Sequence, residues 1–158
     1  MKNTKSVRGG FTLIELLLVV AIIGILSAII LASLSSSKSK GKDGAIEEAL
    51  LHARSQASLF YLANSNSYNN VCANTTAGNV RSAYVNLQDA ASKSGVSLVR
   101  NAAGNTTTAT CNDTALGWAA EVPLKAAGAN QMWCVDDSGK SRMENGSSLS
   151  NSSDVTCN

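Results

Sequence analysis

The sequence predicts an α+β chain, with a long amino-terminal helix followed by a small head built on an antiparallel β-sheet. Three observations predict it. Residues 16–34 run for 19 positions without a charged side chain. Apolar residues then recur at helical spacing over 46–61, and past Asn64 short apolar segments alternate with Gly, Asn and Asp.

The apolar run comes first. At about 1.5 Å per residue it makes roughly 28 Å of helix, close to the hydrocarbon thickness of a bilayer. The polar string SSSKSKGKDG that follows offers no small-residue signal-cleavage site, so the helix is expected to stay attached. Lys2, Lys5 and Arg8 precede it with no acid among them, which places the amino terminus in the cytoplasm. Lys38, Lys40 and Lys42 oppose that bias, but long polar regions translocate largely regardless of charge.

Residues 35–44 hold four serines, two glycines and three lysines, and propensity alone predicts a break there, with Asp43 capping a separate helix from Gly44. Ile46, Ala49, Leu50, Ala53, Ala57, Phe60 and Tyr61 then form one apolar stripe. A loop is expected over 64–79 and a short helix over 80–92. Strands are expected over 96–100, 106–111, 116–124, 131–136 and 140–144, with Asp136-Asp137-Ser138-Gly139 as the turn between the last two. One face of the sheet would lie on the helical stripe, with Trp118 and Trp133 as the largest core residues.

Composition excludes much. The chain has 158 residues, of which 44% are hydrophobic and 15% charged, and its mean hydropathy of +0.03 averages an apolar first fifth with a polar remainder. Seven aromatic residues are too few to line a large cofactor cavity. The single histidine, His52, reads as a surface imidazole. With no second histidine and no nucleophile motif such as GxSxG, neither catalysis nor a cofactor is expected. Lys and Arg cluster only beside the apolar run, so there is no strong nucleic-acid signal.

Four cysteines, Cys72, Cys111, Cys134 and Cys157, all follow the membrane segment, where an oxidising exterior permits disulfides, and four cysteines allow three pairings. They lack a CxxC knuckle, so no metal site is expected of them. Asp113, Asp136 and Asp137 lack EF-hand spacing, and turn chemistry accounts for Asp136 and Asp137. Glu15 breaks the pattern as a carboxylate at the edge of an unbroken apolar run, where an acid is a functional hypothesis that needs a partner.

The string Arg8-Gly9-Gly10-Phe11-Thr12-Leu13-Ile14-Glu15-Leu16-Leu17, followed by the apolar helix, resembles the prepilin signature of type IV pilins and type II secretion pseudopilins. The resemblance covers about residues 8–34. It implies cleavage between Gly10 and Phe11 by a prepilin peptidase, N-methylation of Phe11, and an assembly role for Glu15 as the fifth residue of the mature chain. It also implies a pilin-like fold: a leader over 1–10, a transmembrane and filament-core helix over 11–34, its continuation packed on the head over 35–63, and an extracellular α+β head over 64–158. On this reading one bent helix runs from Phe11 to about Ala63, against the break that propensity predicts.

Pairing of Glu15 with the Phe11 ammonium of a neighbouring subunit would act as a register device, although the two residues also sit four apart on one helix. Ala21, Gly24, Ser27 and Ala28 would let helices approach closely. The family's habit of tethering its carboxyl-terminal end favours Cys72 with Cys111 and Cys134 with Cys157. The function implied is a structural pilin, a homo-oligomer in a helical filament. It is held first in the cytoplasmic membrane as a single-pass precursor and then polymerised by pilus assembly machinery into an extracellular fimbrium. The alternatives are a pseudopilin of a secretion or competence machine and a membrane-anchored adhesion module that never polymerises. Loss of the leader removes three basic residues and no acid, leaving ten basic against eleven acidic side chains, a net −1.

Overall fold

A computed structural model describes residues 10–128 and 130–158, with Ala32 described by its backbone only. Residues 1–9, on which most of the expected leader falls, lie outside the described residues. Two compact units divide the chain, Met1–Ser37 and Lys38–Asn158.

Helix α1, Leu13–Ala63, contributes to both units. Residues 35–44 are helical, contrary to the break expected from serine and glycine content. No proline interrupts them, and serine hydroxyls such as Ser37 Oγ donate back to the carbonyl one turn earlier, at 3.0 Å from Ser33 O. Asp43 caps no helix of its own. In the first unit every described side chain over 11–37 is exposed, Leu13 by 81% and Ile25 by 65%. A run of such residues is not left in water by a monomeric soluble protein, and α1 is long and apolar enough to cross a membrane.

The second unit is the head. A two-residue ladder pairs β1 Thr76–Ala77, where a plain loop was expected, with β2 Val80–Arg81, where the short helix was expected to begin. Helix α2, Tyr84–Ser94, begins four residues later than its sequence pattern and ends at Gly95, whose φ of 73° is the left-handed value that glycine adopts without penalty. Five strands follow: β3 Leu98–Arg100, β4 Ala109–Asp113, β5 Trp118–Pro123, β6 Gln131–Asp136 and β7 Ser141–Asn145. They form one sheet in the order β3-β4-β5-β6-β7. All neighbours are antiparallel except β3 and β4, which run parallel with Leu98 opposite Ala109. The segment between these two strands crosses back over the strand end instead of making a hairpin.

The α1 stripe Ile46, Leu50, Ala53, Ala57 and Phe60 packs with Leu87, Ala90 and Ala91 of α2 and with Cys111, Trp118, Ala120, Val122 and Val135 of the sheet. Trp118 is 1% exposed, as expected of a core residue, whereas Trp133 lies at the core's edge and donates its Nε1–H to Ser141 Oγ at 3.2 Å. Polar residues beside the stripe hold the connections. Arg54 Nη1 donates to Gly139 O at 2.7 Å, and Gln56 Nε2 to Arg81 O at 2.7 Å. Asp43, 8% exposed, accepts from Lys125 N at 2.5 Å and Ala126 N at 2.8 Å, clamping the β5–β6 connection to α1. Replacing it by alanine strands two donors that had a charged acceptor, so D43A is expected to lower head stability by about 2 kcal/mol and D43N by less. Thermal unfolding of the detergent-solubilised chain measures both.

The other face of the sheet carries Asn112, Ala119, Glu121, Cys134 and Asp136, all buried. Alternation of this kind ordinarily marks a solvated face. Here residues 147–157 cover it, with Leu149 and Cys157 fully buried. Asn112 Nδ2 donates to Asn151 O at 2.8 Å and Asp154 O at 3.0 Å. Asp136 Oδ2 accepts from Cys157 N at 3.0 Å. Glu121 accepts from Ser148 N at 2.9 Å, from Ser148 Oγ at 3.3 Å, and from Ser147 Oγ. Gly104 lies so close that a Cβ there would fall 1.9 Å from Glu121 Oε1, so any other residue would have to push the carboxylate aside. Disulfides join Cys72 to Cys111 and Cys134 to Cys157.

Burial pushes the Glu121 carboxyl above its ordinary value, against the hydrogen bonds that pull it down, and burial raises Asp113 and Asp137 likewise. A folded value above the unfolded one means the native state holds its proton more tightly. The stabilisation is therefore complete below the unfolded value and is lost as pH rises through the raised one. The head is expected to melt at a higher temperature near pH 5 than near pH 7.5. E121Q, which keeps an acceptor oxygen and removes the titration, should flatten that dependence; an unchanged slope would clear Glu121 of responsibility for it.

Candidate processing and assembly site

The site occupies the start of α1. Gly10 is exposed, and a Cβ built on it would meet nothing within 4 Å. Among the described residues nothing demands glycine there. Phe11 is an apolar ring left 87% exposed among the described residues.

Thr12 and Glu15 form a capping box. Thr12 Oγ1 accepts from Glu15 N at 3.3 Å, while Glu15 Oε2 accepts from Thr12 N at 2.9 Å and from Thr12 Oγ1 at 2.7 Å. Two donors left free at the helix start are thereby satisfied reciprocally. The Thr-x-x-Glu spacing before an apolar run is a signal for this motif, and it adds Thr12 to the residues Gly10, Phe11 and Glu15 that the sequence singles out. In the single chain the Glu15 carboxylate is thus turned back on its own helix start, one residue from Phe11. Any longer-range partner must compete with Thr12 for it.

The remaining candidates lie in the second unit. His52 approaches Glu48 at 3.6 Å and is exposed, a surface imidazole. Asp136 is taken up by Ser138 Oγ at 2.6 Å, Lys140 N at 3.1 Å and Cys157 N, and Asp137 by Trp118 N at 3.2 Å. Asp113 accepts from Asn70 N. Among the described residues, one group brings three potential ligand atoms within 4.8 Å of one another: Cys134, Glu144 and Cys157. Its two sulfurs are bonded to each other and offer no thiolate.

Residues 5–31 match the family model described as the prokaryotic N-terminal methylation motif. No curated protein and no solved structure matches the chain.

Proposed function

We propose, from the premise that the chain carries the type IV pilin and pseudopilin signature, that it is a pilin: a structural subunit cut between Gly10 and Phe11, methylated on the new Phe11 amine, and polymerised through α1 into an extracellular filament. The observation that carries this reading is the conjunction of the motif with a helix exposed along all of its described side chains from 11 to 37. A lipid bilayer covers such a helix in the precursor, and neighbouring helices cover it in a polymer.

Cleavage creates an ammonium at Phe11 four residues from Glu15. Neither charge is tolerable alone in a helix bundle of low dielectric, whereas a pair is. The subunit's own Thr12 cap holds Glu15 until the ammonium of an incoming neighbour replaces it, which ties assembly to prior cleavage. Prepilin peptidase and the assembly machinery are the partners this route requires. The same features serve a pseudopilin, which differs in the length and location of the filament, and recovery of sheared surface fibres containing the subunit separates the two.

The decisive measurement is the mass and amino-terminal sequence of the subunit extracted from membranes. A chain beginning at N-methylated Phe11 is expected. An intact Met1 would overturn the reading in favour of an uncut, anchored binding module.

A further inference from the structure

Where α1 enters the head, three lysines from two distant parts of the chain stand together. At about 100° per residue, Lys38 and Lys42 point within about 40° of each other, and Lys42 is in line with the buried Ala49, Ala53 and Phe60 to within about 20°. The first buried side chain of α1 among the described residues is Asp43, so both lysines prolong the core-facing side past the end of the core and are exposed. Glu47 and Glu48 point about 120–140° away from Lys42, and Lys40 about 160° away.

The third lysine comes from the sheet. Asp43 accepts from the amides of Lys125 and Ala126, which brings the β5–β6 connection to the same turn of α1. Lys125 is exposed, and its Nζ lies 3.8 Å from where a Cβ on Gly95 would stand, at the carbonyl end of α2, where a positive charge is favoured. The Asp43 carboxylate is directed at the two amides. Among the described residues, none of the three ammonium groups is in an ion pair.

We infer that Lys38, Lys42 and Lys125 form a basic floor to the head that binds the phosphates of anionic phospholipids, at the surface of the membrane that α1 spans in the proposed precursor. The inference rests on membrane anchoring by α1 and not on polymerisation. The apolar run ends at Leu34, so Lys38 and Lys42 lie roughly 6 and 12 Å beyond it along the helix. A headgroup layer is about 5–8 Å deep on each side of the hydrocarbon, and the flexible lysine stem extends the reach of the charge towards it. Lipid phosphates thus come within range of both helix lysines.

The charges complement an anionic plane, because the acids of this stretch point elsewhere and leave cations underneath. Each lysine near such a surface strengthens association roughly fivefold. Lys125 makes the contact a property of the folded head, since only the Asp43 clamp brings it beside the helix lysines.

The test inserts the full-length chain into vesicles of phosphatidylcholine, alone or mixed with phosphatidylglycerol. Its lysines are methylated with formaldehyde and an uncharged borane reductant, and the rate at each is read by mass spectrometry. An ammonium held on a phosphate releases its proton less readily and reacts more slowly. Lys38, Lys42 and Lys125 are expected to react about fivefold more slowly in the anionic vesicles at low salt, and equally in both at high salt. Lys140, held on the Cys157 carbonyl, is expected to react alike in both.

Equal rates for all three lysines at low salt would overturn the inference. Slowing confined to Lys38 and Lys42 would overturn it too, by assigning them to an ordinary helix flank. Slowing of all three by inorganic phosphate in phosphatidylcholine vesicles would assign them to free phosphate and overturn the lipid contact. A chain that inserts into neither vesicle would remove the membrane reading and this contact together, a result distinct from insertion without slowing.

Discussion

Glu15→Val is expected to leave the subunit inserted in the membrane and cleaved at Gly10, yet to lower filament yield by at least about tenfold. The loss follows from the Phe11 ammonium, which valine leaves as a charge without a counter-ion inside a helix bundle, where breaking a buried pair costs about 3–5 kcal/mol. Membrane insertion should not suffer, because valine is easier than glutamate to bury in lipid.

The same substitution also dismantles the capping box with Thr12, and the two effects must be told apart. Thr12→Ala supplies the control. It removes the hydroxyl that caps the helix, a loss of about 1 kcal/mol, and keeps the carboxylate for a neighbour. A modest reduction for T12A beside near-complete loss for E15V assigns the effect to pairing between subunits; equal losses would assign it to the helix start. Normal filaments from E15V would defeat the pairing hypothesis. Quantifying sheared fibres and carbonate-resistant membrane protein from the same cultures gives both readouts.

Removal of the Cys134–Cys157 disulfide is expected to have the largest effect on the head itself. The bond closes a loop with a sequence separation of 23, and a cross-link of that span stabilises by about 3 kcal/mol in the chain-entropy model. It also anchors the segment that covers Asn112, Glu121 and Asp136. C134S/C157S should therefore lower the melting temperature and open residues 147–157 to protease before the remainder of the head is cut. A variant with unchanged melting and unchanged digestion would show that the side-chain hydrogen bonds hold the segment without the disulfide.

How much of this was legible in the sequence depended on the range of the interactions. The apolar run and the stripe Ile46–Leu50–Ala53–Ala57–Phe60 were readable because a helix repeats every 3.6 residues, and β6 was placed at 131–136, the span it occupies. The helix start was readable too, since Thr12 and Glu15 stand three apart, but the spacing was overshadowed by the charge on Glu15.

Residues 35–44 misled because propensity is a weak prior that tertiary context overrides. Asp43 is satisfied by amides 82 and 83 positions away, a partner that no local rule supplies. The parallel pairing of β3 escaped for a similar reason, since a crossover is fixed by where the chain returns. The buried polar face was hidden because β4 and β5 place Asn112 and Glu121 among apolar neighbours, and the groups that receive them lie between 26 and 42 residues downstream.

That distance bears on the order in which the head matures. If the head is exported as proposed, strands β4 to β6 can pair as soon as residue 136 has crossed the membrane, but one of their faces stays wet until residues 147–157 follow and fold back across it. Until then a fully formed sheet displays Glu121, Asn112 and a reduced Cys134 to the outside. Oxidation of Cys134 with Cys157 is therefore a late event, one that marks a head as finished, and a thiol-specific probe applied during export would find Cys134 reactive after Cys72 and Cys111 have already joined.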